Sequence, residues 1–340
     1  MANMNIGTPR FYTDHINYLM SRGIGQDGNF DVITGANLIG IQTGSEAELF
    51  DMNPLNKVDF DTSANTSDHV LINIDTQSTS TKKSFVAILN HNTVSADAKI
   101  LIKASNTEAH VQAVNMGSAT AMDTPVEVVN ADAIASSIVT PATDGSTIIK
   151  FTEQSLRYWG IQFEGNSSNT FSATDLFVGC IMIGEYYEMP HAPDMNITRI
   201  ISYNRMNDLQ ESHGGQRFSN LKSFGRTAGS TSKSPFTTAS NGYESQGGRL
   251  IWNLNFSFLD SSDLMPDEYD IIAADDNFVD DVWNMTNGNH IPFIFSIDKS
   301  SEGDNAESEH IFGRFANNSL DMAQVAPNVF NVKLTVEEEF

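Results

Sequence analysis

The residues best suited to acid–base chemistry lie in the stretch DDVWNMTNGNHIPFIFSID, which runs from Asp280 to Asp298. Two adjacent carboxylates, Asp280 and Asp281, precede the imidazole of His290. Carboxyl and imidazole groups act as general acids and bases when a fold brings them together. The stretch is therefore either an acid–base site or a helix end followed by a strand.

Apolar spacing around the carboxylates favours the second hypothesis. The apolar residues that recur at helical intervals are Phe278, Val282 and Met285. This spacing predicts an amphipathic helix of about three turns. Asp275 or Asp276 is expected to cap its amino end, and Gly288 suits its carboxyl end. Asp280 and Asp281 then fall on the solvent-exposed face, so the sequence predicts a structural role for them.

The rest of the chain carries no recognisable catalytic, cofactor or metal motif. The eight histidines are scattered without zinc-site spacing, and there is no GxSxG, P-loop or GxGxxG pattern. The segment from Asp298 to Glu309 matches a calcium loop only in part, which favours a solvated hairpin loop. Cys180 lies in an apolar run and is predicted to be a reduced core residue. We therefore predict that the protein is not an enzyme and that it uses no cofactor.

Composition and charge exclude several classes of partner. The chain has 340 residues, 40% of them hydrophobic, and a formal net charge of −24. Phosphate backbones are bound through Lys and Arg, so nucleic acid is not an expected partner. No apolar run approaches the roughly 20 residues of a membrane helix, and the N-terminal residues lack the apolar core of a secretory signal. We expect a protein that is made and folded in a cytoplasm.

Alternation of apolar and polar residues with a period of two dominates the chain. Segments such as HVLINID, AKILIKAS, YWGIQFEG, IWNLNFSFLD and VFNVKLTVEEEF show this pattern, which predicts half-buried antiparallel strands. The unbroken apolar runs SFVAILN and LFVGCIMIG predict strands that are covered on both faces. The expected fold is mainly β, with two antiparallel β-sandwich domains, a long loop or arm, and one short helix in the C-terminal domain.

Clusters of Gly, Pro and Ser, which are typical of turns and linkers, suggest the domain boundaries. The expected organisation is an N-terminal arm over 1–30, a β-sandwich over 31–190, a linker with an extended basic arm over 191–250, and a C-terminal β domain with the helix over 251–340.

Charge is unevenly distributed between two of these regions. From Arg199 to Arg249 there are seven basic and three acidic residues, whereas Asp260 to Glu309 contains fourteen acidic residues and Lys299 as its one basic residue. Such asymmetry is typical of a solvated surface or of two complementary faces of repeating subunits. Under the second interpretation, the candidate subunit-interface residues are Arg205, Arg217, Phe218, Phe224 and Arg226.

Two groups of segments resemble a known class of proteins. The segment FVAILNHNTVSADAKILIKASN, with its His91–Asn92 pair, and the later LRYWGIQFEG and LFVGCIMIG strands resemble the galactose-binding-like (discoidin-type) jelly-roll sandwiches of tailed bacteriophages. The C-terminal pattern IWNLNFSFL, PFIFSID, FGRF and VKLTVEEEF is similar to modules of phage distal tail and baseplate proteins.

This resemblance implies a non-enzymatic virion structural protein, assembled in the bacterial host cytoplasm. Its expected partners are further copies of itself in a ring and neighbouring tail proteins. The alternative is a carbohydrate-binding or host-attachment module, whose partner is a host-surface glycan. The sequence offers no cluster of exposed aromatic, Arg and Asp residues to which sugar binding could be assigned.

Overall fold

The computed structural model describes residues 6–25, 29–114, 120–121, 127–135, 137–202, 209–219, 249–266, 276–300 and 309–339. These residues form antiparallel sheets with a few short helices, so the predicted mainly β fold is confirmed. The first twelve strands are β1 Arg10–Tyr12, β2 Phe30–Val32, β3 Ile41–Thr43, β4 Val58–Phe60, β5 Val70–Asp75, β6 Lys83–His91, β7 Ala98–Ser105, β8 Thr120–Ala121, β9 Glu127–Val129, β10 Ala133–Ala135, β11 Ile138–Thr140 and β12 Gly145–Gln154.

The remaining strands continue in chain order. They are β13 Tyr158–Gly165, β14 Leu176–Val178, β15 Cys180–Gly184, β16 Tyr186–Glu188, β17 Thr198–Ser202, β18 Leu209–Glu211, β19 Arg217–Ser219, β20 Arg249–Asp260, β21 Phe293–Ser296, β22 His310–Phe315, β23 Met322–Ala326 and β24 Val329–Glu338. The helices are α1 His15–Ser21, α2 Glu108–Val111, α3 Ser261–Leu264, a π-helix Val279–Asn284 and two 3₁₀ turns, Glu46–Phe50 and Ser167–Asn169.

The N-terminal sandwich packs two sheets against each other. One has the strand order β10-β11-β7-β13-β5-β2, with β8 beside β7, and the other has the order β15-β6-β12-β9. A third, smaller sheet, β14-β4-β3, completes this part of the chain. Alternate residues of β5 and β13, including Ile72, Ile74 and Trp159, fill the core between the sheets. This is the side that the alternation in the sequence predicts.

The sheet β15-β6-β12-β9 is buried on both faces. Val86 and Ile88 of β6 point into the sandwich core. Phe85, Ala87 and Leu89 point the other way, into a second cluster that contains residues of the C-terminal sheet. The prediction that SFVAILN is covered on both sides is therefore confirmed.

The C-terminal sheet has the order β16-β1-β21-β22-β24-β20-β17, with β23 also beside β24. Trp252, Leu254 and Phe256 of β20 lie in register with Val336, Leu334 and Val332 of β24, and all six are buried. The π-helix and α3 supply Phe278, Val282 and Leu264 to the same core. The opposite face of the sheet contacts the sandwich through Ile294 and Phe312.

Strand β1 lies within the region predicted as an N-terminal arm, and it pairs with both β16 and β21. Phe11 packs into the C-terminal core, whereas Tyr12 packs into the cluster between the sheets. Both side chains are fully buried. Because alternate strand residues face opposite sides of a sheet, this three-residue strand contributes to two cores at once.

One prediction about the sandwich surface is wrong. The half-buried strands that alternation predicts for AKILIKAS and YWGIQFEG would leave Lys103 of β7 and Gln162 of β13 on the outer face, in solvent, but both are fully buried. Helix α2 contacts both strands on that face, and the carbonyl oxygen of Val111 lies against Gly160 of β13. The Lys103 ammonium donates to Gln162 Oε1 at 3.3 Å, and burial lowers its pKa to about 8.

Candidate functional site

A cleft of about 570 Å³ opens where the sandwich meets the C-terminal sheet. Its walls come from four separate parts of the chain: helix α1 with the residues around it, the loop from Gln77 to Lys82, Glu185, and the segment from Asp276 to Met285. Sites at the junction of two packed units, with a volume of roughly 300–1,000 Å³, are typical of small-molecule binding. This cleft is the candidate functional site.

Helix α1 forms the first wall. Asp14 caps its amino end, with Oδ2 accepting the N–H of Asn17 at 2.7 Å, and Oδ1 accepts the N–H of Ile183 on β15 at 3.1 Å. Burial raises the pKa of Asp14 to about 6. These contacts hold the helix so that Tyr18 and Leu19 line the cleft.

The loop between β5 and β6 forms the second wall. Gln77 takes a left-handed φ of 57°, and its N–H donates to Asp75 Oδ1 at 2.8 Å. The hydroxyl of Ser78 accepts the N–H groups of Ser80 and Thr81, each at 3.1 Å. These contacts hold the loop in the conformation in which Gln77, Ser78, Ser80 and Thr81 line the cleft.

The segment from Asp276 to Met285 forms the third wall. It is helical where the sequence predicts a helix, but the type of helix differs from the predicted one. Residues Val279–Asn284 form a π-helix, a form that is frequent at functional sites. Asn277 caps it: its Oδ1 accepts the N–H of Asp280 at 2.9 Å, and Asp281 Oδ2 accepts the N–H of Asn277 at 2.8 Å. The cap predicted at Asp276 is therefore wrong, and Asp275 lies outside the described residues.

Gly288 ends this helical segment as the sequence predicts. It has a φ of 69°, and its N–H donates to the carbonyl of Trp283 at 2.8 Å. This is a carboxyl-terminal cap of the kind that glycine favours.

The predicted solvent exposure of Asp281 is wrong. Asp281 lies half-buried in the cleft, and burial raises its pKa to about 7. Burial also raises the pKa of Glu185 to about 8, with the charge of Asp281 as the next cause. Each group is therefore substantially protonated near neutral pH, so the pair can both donate and accept hydrogen bonds.

Two cations border the cleft. The Lys82 ammonium lies 3.1 Å from Asp276 Oδ1 and 3.4 Å from Glu153 Oε2. The Arg22 guanidinium lies over the Tyr18 ring, 5.1 Å from its centroid. The cleft therefore combines carboxyl groups, paired cations and an apolar wall.

His15 also borders the cleft, but it serves the fold. It is buried, its Nε2 lies 3.2 Å from the carbonyl of Thr76, and burial lowers its pKa to about 3. A neutral imidazole at physiological pH cannot serve there as a cation.

A second depression, of about 340 Å³, adjoins the cleft and shares Arg22 with it. It is lined by Trp283, Asn284, Asn287, Gly288, Asn289, His290 and Asn318. His290 therefore belongs to this depression, whereas Asp280 and Asp281 line the cleft. An acid–base site, the alternative that the sequence disfavours, would need all three groups together, and the structure does not bring them to one point.

Sequence reasoning missed one cluster of charged and aromatic side chains beside the cleft. Arg157 forms a two-pronged ion pair with Asp75, with both contacts at 2.7 Å, and lies over the Tyr158 ring at 4.9 Å. Its Nη2 also donates to Gln77 Oε1 at 3.2 Å, which connects this cluster to the cleft wall. Asp75 and Arg157 are far apart in the sequence, so the pairing of β5 with β13 was needed to find them.

The His91–Asn92 pair of the resemblance has structural roles. His91 is buried, with Nε2 2.8 Å from Thr147 Oγ1, and burial lowers its pKa to about 4. The Asn92 side chain donates to Asp175 O and accepts from the N–H of Phe177, bridging to β14. Cys180 is buried as predicted, and burial raises its pKa well above its usual value.

Two of the five predicted interface residues lie in the part of the chain that is described. Arg217 and Phe218 lie on β19, which pairs with β18 in a small hairpin. Arg205, Phe224 and Arg226 lie outside the described residues. Their interface role stays a prediction.

The described ranges lack two further features. They contain no group of three or more His, Cys, Asp or Glu that could hold a metal ion. They also contain no helix long and apolar enough to span a bilayer.

The fold and the cleft define a mostly β protein of stacked antiparallel sheets with a polar cleft at their junction. No protein-family model matches the chain, and no curated protein matches it. Among solved structures, it is similar to chitosan-binding module 1 of a chitosanase/glucanase from Paenibacillus sp. IK-5, at 15% identity and a TM-score of 0.29 over 46% of this chain and 92% of that one.

Two further solved structures show a similar degree of likeness. One is a truncated AlyQ with CBM32 and alginate lyase domains, at 14% identity and a TM-score of 0.28 over 68% of this chain and 49% of that one. The other contains the CBM32-1 and CBM32-2 domains of ZmpB from Clostridium perfringens, at 12% identity and a TM-score of 0.26 over 54% of this chain and 42% of that one. None of these three is described as a virion protein, so the phage resemblance stays a prediction.

Proposed function

We propose that this chain is a non-catalytic carbohydrate-binding protein and that the sugar binds in the junction cleft. The observation that carries the proposal is the make-up of the cleft walls. The polar residues Gln77, Ser78 and Thr81 line the cleft on one side, and four acidic residues, Asp276, Asp280, Asp281 and Glu185, line it on another. Leu19 and Met285 add apolar surface.

Such a surface suits a ligand that carries many hydroxyl groups. Each sugar hydroxyl is at once a donor and an acceptor, and it is best satisfied by groups with the same double capacity. Protonated Glu185 and Asp281 have that capacity, as do the serine and threonine hydroxyls. The C–H faces of a sugar ring can then pack on the apolar wall.

The charge of the cleft narrows the class of sugar. Asp276, Asp280, Asp281 and Glu185 all line it, against Lys82 and Arg22. Lys82 is already paired with carboxylates on two sides. Even with Glu185 and Asp281 protonated, the carboxylates of Asp276, Asp280 and the adjoining Glu153 outnumber the two cations. An anionic polysaccharide would therefore meet repulsion, whereas a neutral or amino-substituted sugar would not.

A hydrolase would need two carboxyl groups flanking the scissile bond, one of them able to donate a proton. Glu185 and Asp281 are the groups to which such an assignment would fall. We expect no turnover, because the sequence provides no catalytic motif in the remainder of the chain. The predicted absence of enzymatic activity therefore has a direct test.

The test is calorimetric titration of the full chain with neutral gluco-oligosaccharides, glucosamine oligosaccharides and uronate oligosaccharides, combined with an assay for released reducing ends. We expect the neutral or the amino series to bind, the uronates not to bind, and no reducing ends to appear. Asp280→Asn, in the cleft wall, should weaken binding, and Asp132→Asn, at an exposed position outside the cleft, is its control. Equal affinity for all three series would contradict the proposal.

A second candidate function is the ring component of a phage distal tail or baseplate, located in the virion. One observation favours assembly: β17 is an edge strand of the C-terminal sheet and exposes Ile200 and Ile201. Exposed apolar edge strands are surfaces to which another chain can add. The two proposals are compatible, since host attachment by a ring of sugar-binding subunits would use both surfaces.

A further inference from the structure

The depression beside the cleft has the chemistry of a second sugar subsite. Asn287, with a φ of 49°, and Gly288 reverse the chain after the π-helix. Asn284, Asn287 and Asn289 line the depression together with Trp283. Gly288 lies against the indole, because a Cβ atom added there would be 3.4 Å from Cζ2 of the ring.

The amides are held in place but not saturated. Asn284 donates to Asp280 Oδ1 at 2.8 Å, Asn287 donates to Ser21 Oγ at 2.7 Å, and Asn289 donates to Asn318 Oδ1 at 3.2 Å. An Asn side chain offers two donors and one acceptor oxygen. Within the described ranges, each of these three amides therefore keeps side-chain hydrogen-bonding capacity for a ligand.

The depression differs from the cleft in charge. Among the described residues that line it there is no Asp or Glu, and the groups they supply are amides, an indole, an imidazole and the Arg22 guanidinium. Amides beside an aromatic surface suit the hydroxyl and amide substituents of an uncharged sugar. A partly exposed indole provides the flat apolar surface for the ring.

The two sites are joined along one wall. Arg22 borders both, and the Asn284–Asp280 hydrogen bond connects a residue of the depression to a residue of the cleft. We infer that the depression binds a second unit of the sugar chain whose first unit lies in the cleft, so that the ligand is an oligosaccharide. This inference rests on the proposed function.

Affinity as a function of chain length tests the inference. The probes are the neutral gluco-oligosaccharides and the glucosamine oligosaccharides, from the monosaccharide upward. For the wild type we expect affinity to rise about tenfold or more as the chain becomes long enough to enter the depression, because several hydrogen bonds are added. The double variant Asn289→Ala/Asn318→Ala should lose that increase and keep the affinity for the shortest sugar that binds.

Tryptophan fluorescence supplies a second readout that does not depend on truncating the ring. Trp159 and Trp252 are buried, at 0% and 3% exposure, and Trp283 is the third and partly exposed tryptophan. A long oligosaccharide should protect this emission from acrylamide quenching, and a monosaccharide should not. Trp283→Phe removes the signal and serves as the control.

The outcomes separate the two claims. If the affinities of the wild type and of the double variant rise equally with chain length, the second subsite is disproved while the cleft proposal stands. The same holds if no length of oligosaccharide protects Trp283 from acrylamide quenching. If no member of either series binds at any length, both claims fail.

Discussion

The two half-buried carboxyl groups of the cleft, Glu185 and Asp281, make stability depend on pH. Their pKa values in the folded protein, about 8 and about 7, lie above the ordinary values of 4.5 and 3.8. The folded chain therefore holds protons that the unfolded chain has released. Linkage then requires the free energy of unfolding to fall as pH rises from about 4 to about 8.

The matched comparison is the double variant Glu185→Gln/Asp281→Asn, measured by urea denaturation at pH 5.5 and pH 8. Lys83, whose pKa burial lowers to about 7, contributes in the opposite direction above that pH, and it is present in both proteins. We expect the wild type to lose more stability over this interval than the variant does. An identical loss in both proteins would contradict the assignment.

Trp252 is the second residue whose role can be measured directly. It is 3% exposed in the C-terminal core, and the Arg199 guanidinium lies 5.6 Å from its ring centroid. Trp252→Ala should lower the free energy of unfolding by about 3–5 kcal/mol, as expected for a buried tryptophan. Trp283→Ala should lower the free energy of unfolding by a smaller amount, because that ring packs only at the edge of the same core. Equal losses in urea denaturation would show that the two rings are equally buried.

The stability of the helical segment Val279–Asn284 depends on the residues that cap its two ends. Gly288 has a φ of 69°, which L-residues other than Asn and Asp rarely adopt. Gly288→Ala should therefore destabilise the protein by about 1–2 kcal/mol.

Gly288→Asn is the matched control, because asparagine tolerates the left-handed conformation better than alanine does. We expect its midpoint of denaturation to lie between those of the wild type and Gly288→Ala. An alanine variant as stable as the wild type would show that this cap does not hold the segment.

The strands were the most predictable elements. Alternation identified the buried faces of β5, β20 and β24, and continuous apolar runs identified β6 and β15 as covered on both faces. The spacing of apolar residues indicates which face of a strand is buried. The prediction therefore succeeds where the same face is buried along the whole strand. It failed on β13, because α2 covers polar residues such as Gln162 on the outer face.

The cleft could not be predicted in the same way. Its walls come from residues as distant as Thr13 and Met285, and only the pairing of β1 with β16 and β21 brings them together. A three-residue strand has no detectable period. The exposure of Asp281 was predicted from the helix alone, whereas its burial depends on Glu185 and its neighbours across the junction.

At the scale of the whole molecule, a charge of −24 opposes association between copies unless complementary surfaces meet. The basic region from Arg199 to Arg249 and the acidic region from Asp260 to Glu309 are the proposed pair. In a head-to-tail ring, each subunit would present one surface to each neighbour. Several ion pairs acting together set the register of such a contact, and salt weakens them.

The triple variant Arg205→Glu/Arg217→Glu/Arg226→Glu tests this surface by sedimentation velocity across a salt series. We expect the wild type to assemble at low salt and the variant to remain monomeric. Lys333→Glu, at an exposed position on β24, provides a charge-reversal control. Assembly of the triple variant at every salt concentration would contradict the ring proposal.

The central claim, that a sugar binds in the junction cleft, is tested most directly by blocking the cleft. Ser80 lies on the exposed loop that lines it, and Ser67 lies before the opposite end of β5, also exposed. Ser80→Trp places an indole in the cleft, and Ser67→Trp makes the same substitution outside it. Both variants are titrated calorimetrically with the best-bound oligosaccharide. We predict that Ser80→Trp abolishes binding and Ser67→Trp retains wild-type affinity. Wild-type affinity in Ser80→Trp would place the sugar elsewhere and contradict the account.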